Sequence, residues 1–278
     1  EAYSGTAEVL AAALTGTVTD TSDAVLTGAM TITGSNPTPA ELQTINNATT
    51  GNIIIPAKTV ALTATAAVLE EALAGTVQDG SGDAITGTVT ITGTDPTPAE
   101  LQTINNSVAG TIVVPDKAVT LSSTAAVLAA ALTGTVQDLS AAALTGAVTV
   151  SDDATASIAA TVLSTIGGGT SGTVTVSNAI TITGNTAQVI AALDTESTKV
   201  IAGTAKVTLS DTPSLDNLKK INDATSGTIK ILSGSEAYSG TAEVLAAALT
   251  GTVQDTSGNP LTGAMTITGS NPTPAELQ

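Results

Sequence analysis

The chain has 278 residues, a formal net charge of −17 and a hydrophobic fraction of 42%, and it contains no Arg, His, Cys, Phe or Trp. An acidic chain whose only aromatic residues are two Tyr lacks both the positive charge and the stacking surfaces of a nucleic-acid-binding protein. The absence of Cys excludes disulfides and thiolate metal sites, and without His or Cys few side chains remain for acid–base catalysis, so an enzyme is not predicted. No run of about eighteen apolar residues occurs, so no membrane span is predicted.

A repeat of about 59 residues runs through the chain. The phrase that begins at Thr6 returns in similar form, at nearly even intervals, at Thr65, Thr124, Thr186 and Thr241. Repeats of this length are typical of solenoids and of strings of identical modules. The chain is therefore divided into four repeats and a partial fifth, at 1–64, 65–123, 124–185, 186–240 and 241–278.

The chain also has a longer repeat that contains the short ones, because residues 236–278 repeat residues 1–43 almost letter for letter. Four short repeats thus make one long repeat. The repeated phrase is cut after Gln278, and neither end carries the atypical polar sequence of a capping repeat. We therefore expect this sequence to be a window from a much longer repeat protein.

The first half of each repeat begins with a predicted short helix. Thr6 and its four counterparts are candidate N-caps for helices such as 9–14. A strand is predicted to begin at Gly16, and an Asp-rich turn follows at 20–23. The segment 28–34 is predicted to be a second strand, because its side chains alternate in character with a period of two.

The second half of each repeat begins with a stronger helix signal. Thr38, Pro39 and Glu41 are predicted to form a capping box with Pro at the first helical position. The pair Asn46-Asn47 is predicted to end this helix in a left-handed conformation. Equivalent helix starts are expected at Thr97, Ala159, Ser214 and Thr273.

A Gly follows each of these helices at a constant distance from the start of the next repeat. A β-branched run comes directly after it, as in the segment 53–55, and such runs are typical of strands. Strands are therefore predicted after Gly51, Gly110, Gly172 and Gly227.

These elements predict a β-rich α/β repeat fold. We expect helix, strand, turn and strand in each coil of about 27–32 residues, with parallel strand pairing between coils of an elongated, right-handed solenoid. Packed helices need about 8–10 Å and strands about 4.8 Å, so one helix per coil would force curvature or place alternate helices on opposite sides. The alternative is a string of small, separate β-rich modules, one for each short repeat.

The turn at 79–83 is a candidate metal site. Asp79, Ser81 and Asp83 place oxygen atoms at alternate positions with Gly between them, a pattern that suits Ca²⁺. An ordinary Asp/Gly/Ser turn explains the same residues. The related turn at 138–140 breaks the pattern, and no Glu follows at the spacing of an EF-hand, so both readings stay open and no other cofactor is predicted.

Two further patterns also have ordinary explanations. The Gly-rich segment 167–172 lacks the Gly-Lys-Ser/Thr ending of a phosphate-binding loop, so we predict a turn there. Thr-x-Thr pairs either stack into a Thr ladder of the kind that binds ice or reflect the ordinary β-propensity of Thr. These pairs are Thr31/Thr33, Thr90/Thr92 and Thr266/Thr268.

Two phrases of the repeat resemble known sequences. Residues 97–106 read Thr-Pro-Ala-Glu-Leu-Gln-Thr-Ile-Asn-Asn, and residues 110–114 read Gly-Thr-Ile-Val-Val. With them the chain resembles the giant low-complexity repeat proteins of bacterial cell surfaces, above all those of marine cyanobacteria. The resemblance implies a fibrous role at the cell surface or outside the cell, and it assigns no functional residues.

We therefore expect a structural extracellular repeat protein that forms a fibre, filament or surface layer. Its expected partner is a second copy of itself, and cell-surface glycans are a further candidate. The acidic, Cys-free composition fits a secreted material in a salty medium, where salt screens the repulsion between copies. The alternatives are the stalk of a large bacterial adhesin and a Thr-ladder ice-binding protein.

Overall fold

The structure is a computed structural model that describes residues 1–193 and 199–269. Short helices are separated by one to three short strands along this part of the chain. The helices are α1 (Ala7–Ala13), α2 (Pro39–Ala48), α3 (Ala66–Leu73), α4 (Pro98–Ser107), α5 (Ala125–Leu132), α6 (Ala160–Gly168), α7 (Thr186–Leu193), α8 (Leu215–Ala224) and α9 (Ala242–Leu249).

The strands are mostly three or four residues long. They are β1 (Tyr3–Gly5), β2 (Met30–Ile32), β3 (Ile53–Ile55), β4 (Leu62–Thr65), β5 (Val77–Asp79), β6 (Val89–Thr92), β7 (Ile112–Val114), β8 (Leu121–Ser123), β9 (Val136–Asp138), β10 (Val148–Val150), β11 (Ser157–Ala159), β12 (Val174–Val176), β13 (Thr181–Gly184), β14 (Val200–Ile201), β15 (Lys206–Leu209), β16 (Ile229–Ile231), β17 (Tyr238–Gly240), β18 (Val253–Asp255) and β19 (Met265–Ile267).

These strands pair in parallel to form several small sheets. The sheet orders are β1-β2-β3-β5, β4-β6-β7-β9, β14-β12-β10-β8, β11-β13-β15-β16-β18 and β17-β19. The prediction of an α/β fold with parallel strand pairing is therefore confirmed, and repeating strand–helix units run along the described chain. Parallel pairs need long crossovers, and the short helices lie in these crossovers.

The register of the first sheet defines the length of a coil. Tyr3 pairs with Met30, Met30 with Ile53 and Ile53 with Val77. The two later coils are shorter than the distance predicted from one helix start to the next. Each of these pairs is joined by a crossover that contains one helix, which is α1 between β1 and β2, α2 between β2 and β3, and α3 between β3 and β5.

Strand pairing crosses the boundaries between the predicted repeats. β3 of the first repeat pairs with β5 of the second, and β7 of the second pairs with β9 of the third. β4, which lies between β3 and β5 in the chain, begins a different sheet. Each of these two sheets therefore begins with strands of one repeat and ends with a strand of the next repeat. The alternative of separate, self-contained modules is wrong for these repeats.

The chain divides into two compact units, each with its own core. The first unit comprises Glu1–Leu121 and Val127–Gly146, and the second comprises Ser122–Ala126 and Ala147–Gln278. Within the first unit α1, α2, α3 and α4 pack in succession, and within the second α6, α7, α8 and α9 do so. Within each unit, the option that alternate helices lie on opposite sides is therefore wrong, because these consecutive helices contact one another.

Most predicted helix starts are correct, because capping depends on residues that are close in sequence. Thr38 accepts a hydrogen bond from the Glu41 backbone N–H while the Glu41 carboxylate accepts one from the Thr38 backbone N–H, and α4 begins in the same way at Thr97. Thr6 accepts a bond from the Val9 N–H at 3.4 Å. Ala159 and Ser214 are the residues before α6 and α8, as expected, whereas Thr273 lies outside the described residues.

The predicted N-cap at Thr186 is wrong by one residue. Asn185 Oδ1 accepts a bond from the Gln188 N–H, and Gln188 Oε1 accepts one from the Asn185 N–H, both at 2.9 Å. Thr186 is the first residue of α7, and its N–H and hydroxyl both donate to Asp211 Oδ1. An Asn-x-x-Gln capping box therefore replaces the Thr cap in the fourth repeat.

Two further local predictions differ from the structure. No strand forms at residues 16–18, although β5, β9 and β18 occupy the equivalent place in later repeats. Each of those strands pairs with a strand of the coil before it, and the first repeat has no such strand before Gly16. The Gly-rich segment is not a turn throughout either, because Gly167 and Gly168 belong to the last turn of α6.

Candidate functional site

The junctions between consecutive helices carry a recurring Asn. Asn46 Nδ2 donates to the Glu71 carbonyl at 2.6 Å, and Asn222 Nδ2 donates to the Ala247 carbonyl at 3.0 Å. Asn105 Nδ2 donates to two carbonyls, those of Ala130 at 2.6 Å and Thr133 at 2.5 Å. In each case the amide of a helix in the second half of a repeat bonds to the carboxyl end of the next helix in the chain.

This arrangement corrects the predicted role of the Asn pair. The helix does not end in a left-handed turn at Asn46, because α2 continues to Ala48 and the capping residue Thr49 is extended. The last carbonyls of a helix have no partner within that helix, so a side-chain amide from the neighbour stabilises them. The available signal was an Asn at the same position near the helix end in three of the four repeats, but local rules assign an Asn at this position to a turn.

A buried Thr follows the helix at the same junction. Thr49 is 5% exposed, its hydroxyl donates to the Leu26 carbonyl at 3.0 Å, and its oxygen accepts the Gly51 N–H at 2.9 Å. Thr225 is also buried, and its oxygen accepts the Gly227 N–H at 3.1 Å. Sequence reasoning selected the Gly and missed the Thr two residues before it, although Thr-x-Gly recurs in three of the four repeats.

Glycines lie where two segments of the backbone approach each other closely. A Cβ atom on Gly87 would lie 1.9 Å from the Val60 carbonyl oxygen, and one on Gly110 would lie 2.3 Å from the Gly87 oxygen. Such distances leave no room for any side chain, so Gly is required by close backbone approach. The same holds for Gly28, Gly51, Gly146, Gly227 and Gly263.

The three predicted calcium ligands lie in one exposed turn. Asp79 Oδ1 accepts the backbone N–H groups of Ser81 at 2.8 Å and Asp83 at 3.0 Å. The Asp83 carboxylate forms an ion pair with Lys58 Nζ at 2.5 Å. Within the described residues no group of three or more acidic, His or Cys side chains could hold a metal ion. The bonds account for Asp79 as a turn former, and calcium binding stays a prediction.

Chelation tests that prediction directly. Because the carboxylates of Asp79 and Asp83 already accept N–H bonds or an ion pair, we expect EDTA to leave the melting temperature unchanged. The measurement is thermal unfolding with and without EDTA, for the wild type and for the Asp79→Asn/Asp83→Asn variant. A chelator-dependent drop that the variant abolishes would establish the calcium site.

Four equivalent turns hold a carboxylate in the same way. Hydrogen bonds to the ionised carboxylate lower the pKa of Asp79, and the bond from the Asp83 N–H has the largest effect. The hydrogen bond from the Ser140 hydroxyl lowers the pKa of Asp138 in the same way. In the outer repeats the Ser22 hydroxyl lowers the pKa of Asp20, and the Asn259 N–H lowers that of Asp255. The charged form is favoured in the folded state because protonation would remove an acceptor.

These shifts predict a stability that falls in acid. A lowered folded-state pKa stabilises the fold above the unfolded value of about 3.9, and this stabilisation is lost as the pH falls through the lower folded-state values. We therefore expect the urea midpoint to be lower at pH 3 than at pH 6. Asp79→Asn combined with Asp255→Asn should reduce this pH dependence, and an unchanged dependence in that variant would contradict the assignment.

The outward-facing Thr residues do not form an uninterrupted ladder. Thr31 lies between Ser4 and Ile54 in its sheet, and Thr90 lies between Thr63 and Val113. Thr31 thus has the aliphatic Ile54 as one neighbour, and Thr90 has the buried Val113 as one neighbour, so neither position belongs to an uninterrupted row of hydroxyl groups.

Two open grooves of the described residues lie beside helix ends. One groove of about 250 Å³ is lined by residues such as Gly75, Val77 and Asn106 and contains no titratable side chain. Another, of about 410 Å³, is lined by Asn222, Asp223 and Gly251, so its only titratable group is one carboxylate. Neither groove brings together an acid, a base and a nucleophile.

Comparison of the chain with protein-family models, with curated protein sequences and with solved structures gave no match. Within the described part of the chain, no helix has the length and apolar character that a membrane crossing needs.

Proposed function

We propose that the chain is a structural repeat protein of the cell surface or the extracellular space, and that it forms a fibre, filament or layer by stacking its coils into a solenoid. The observation that carries this proposal is the parallel pairing across repeat boundaries, as between Ile53 and Val77. A sheet that one repeat begins and the next completes makes each repeat dependent on its neighbour, as in solenoid proteins.

The dependence on neighbours is visible in copies of the same residue. Tyr238 is 6% exposed, whereas its copy Tyr3 is 38% exposed. Met30 is fully buried, whereas its copy Met265 is 40% exposed. The same side chain is therefore buried in one copy of the repeated sequence and exposed in the other, so its burial depends on packing against other parts of the chain.

Composition supports the extracellular part of the proposal. The net charge of −17 and the complete absence of Cys, His and Arg suit a protein made in quantity for a salty medium. The resemblance to giant repeat proteins of bacterial surfaces supports the same placement.

Self-association tests the proposal. We expect the chain to form oligomers at tens of micromolar, as measured by light scattering after size-exclusion chromatography. Val9→Glu combined with Ala13→Lys should lower the oligomer fraction, because Val9 is 60% exposed on α1 and Ala248, the copy of Ala13, is fully buried against its neighbours. The introduced charges are opposite in sign and lie one helical turn apart, so they support the helix.

The matched control is Ala67→Lys, a charge placed on an exposed position of α3. It should leave the oligomer fraction unchanged. A wild-type chain that stays folded and monomeric at this concentration would overturn the proposed function.

A further inference from the structure

The four equivalent Asp turns differ in the residue that follows the Asp. The pairs are Asp20-Thr21, Asp79-Gly80, Asp138-Leu139 and Asp255-Thr256. Asp79-Gly80 is the only Asp-Gly pair of the sequence, and no Asn-Gly pair occurs. Chemistry that depends on an Asp-Gly bond therefore belongs to one turn, and the other three turns serve as its controls.

Hydrogen bonds fold the Asp79 carboxyl group back towards its own main chain. Asp79 Oδ1 accepts the Ser81 N–H at 2.8 Å and the Asp83 N–H at 3.0 Å. The bond from Ser81 closes a ring, as in an Asx turn. This ring contains both Asp79 Cγ and the Gly80 nitrogen, because both atoms lie on the covalent path from Oδ1 to the Ser81 nitrogen. The turn thus keeps these two atoms within one small cycle.

The Gly80 nitrogen is open to reaction. Gly80 is exposed, and a Cβ atom on it would have no neighbour within 4 Å. Among the described residues, its N–H donates no hydrogen bond. Thr21, Leu139 and Thr256 place a side chain beside the equivalent nitrogen, whereas Gly has none and rotates more freely. The Gly80 nitrogen therefore approaches the carboxyl carbon before it more readily than its three counterparts do.

We infer that Asp79 is a site of spontaneous main-chain modification, at which the folded chain converts aspartate into isoaspartate. The Gly80 nitrogen attacks Asp79 Cγ, and a C–N bond forms. One carboxyl oxygen leaves as water after taking the amide proton and one proton from the solvent, because the carboxyl group is ionised at neutral pH. The product is a succinimide, in which the Gly80 nitrogen is bonded both to Cγ and to the main-chain carbonyl carbon of Asp79.

Water then opens the succinimide at one of its two carbonyl carbons. Attack at Cγ restores the original Asp79. Attack at the main-chain carbonyl carbon breaks the bond from that carbon to the Gly80 nitrogen. The chain then runs through Cγ, and the former main-chain carbonyl becomes a free carboxylate. The water lost in the first step is regained in the second, so the conversion needs no oxidant and no co-reactant other than water.

The modification falls where the second repeat pairs with the first. Asp79 is the last residue of β5, and it lies opposite Ile55 of β3. The Asp79 N–H donates to the Asp83 carbonyl at 2.9 Å, and the Asp79 carbonyl accepts the Gly82 N–H at 3.0 Å. Isoaspartate adds a methylene group to the main chain between these two bonds, so the turn cannot keep both in place. Conversion should therefore loosen this turn as the protein ages, whether or not the chain forms a fibre.

Tryptic peptide mapping of the folded, full-length chain tests the inference. Cleavage after Lys places the four turns on four different peptides, which are 1–58, 59–117, 118–199 and 231–278. After incubation for several weeks at neutral pH, we expect isoaspartate to be at least tenfold more abundant at Asp79 than at Asp138. Liquid chromatography with electron-transfer fragmentation separates and locates the two isomers, and the succinimide appears as a peptide lighter by one water.

Two substitutions exchange the residue after the Asp between matched turns. Gly80→Leu should reduce isoaspartate at Asp79 at least tenfold. Leu139→Gly should create a second site at Asp138, because Asp138 Oδ1 also accepts two N–H groups, those of Ser140 and Ala142, at 2.9 Å each. Leu139 is 74% exposed and Gly80 has open space around it, so circular dichroism should show that both variants are folded.

Three results would overturn the inference. The first is an equal isoaspartate content at Asp79 and Asp138 in the wild-type chain. The second is a Gly80→Leu variant that accumulates isoaspartate at Asp79 as fast as the wild type. The third is conversion in the urea-unfolded chain but not in the folded chain, which would show that the turn protects Asp79.

Discussion

Gly87→Ala should destabilise the chain by about 3 kcal/mol, because overpacking against a backbone that cannot move is among the more costly core changes. The new Cβ would lie 1.9 Å from the Val60 carbonyl oxygen and 2.5 Å from its carbon. Val60 leads into β4 and Gly87 leads into β6, and these strands pair directly after the contact. Neither backbone can retreat without loss of that pairing.

The matched control is Gly80→Ala in the exposed turn of the same repeat. A Cβ on Gly80 would have no neighbour within 4 Å, and the substitution also reduces the freedom of the unfolded chain. We expect no loss of stability for this variant. Urea unfolding followed by circular dichroism gives both midpoints, and equal midpoints for the two variants would show that the coils are not in close contact at Gly87.

Asn105→Ala should lower the free energy of unfolding by about 1–2 kcal/mol, since it leaves two helix-end carbonyls without their donor. These are the carbonyls of Ala130 and Thr133, which Asn105 Nδ2 reaches at 2.6 and 2.5 Å. Asn105→Asp should cost more, because a carboxylate keeps the shape of the amide, cannot donate, and is repelled by the negative end of the helix dipole.

The neighbouring Asn106 supplies the control for this pair of variants. Asn106 is exposed at the same helix end, so Asn106→Ala should change stability by less than about 0.5 kcal/mol. The measurement is the urea midpoint of Asn105→Ala, Asn105→Asp and Asn106→Ala. If Asn105→Asp is as stable as the wild type, the Asn donor does not hold the helix junction.

The repeats vary most in their exposed turns and least where backbones of neighbouring coils touch. The turn after β5 ends in Asp83, whereas the equivalent turn after β9 has Leu139 exposed at its tip. The junction Asn also varies, because the third repeat has Gly167 at that place, near the end of α6. The Gly that approaches the backbone of the preceding coil does not change between Gly51, Gly110 and Gly227. Close backbone approach is therefore the stricter constraint on the sequence of a repeat.

Most of the helices, strands and turns could be predicted from the sequence alone, because interactions between residues close in sequence determine them. The capping boxes at Thr38 and Thr97 were predictable because all of their hydrogen bonds join residues three apart. The strand after Gly51 was predictable from its β-branched run, and the turn at Asp20 from its Asp and Ser. The α/β repeat class followed from the regular return of these elements along the chain.

Only the tertiary structure decided what the elements do for one another. The same Asn that local rules place in a turn bonds to a helix 25 residues away, and the Gly that opens a strand proves to be a contact between backbones. Sequence reasoning also could not assign β4 to a different sheet from β3 and β5, because parallel pairing depends on which coil lies alongside. Residues 4–18 after Tyr3 are identical to residues 239–253 after Tyr238, yet the two Tyr differ in burial. The reason is that packing against another part of the chain is a property of the fold, and no local pattern encodes it.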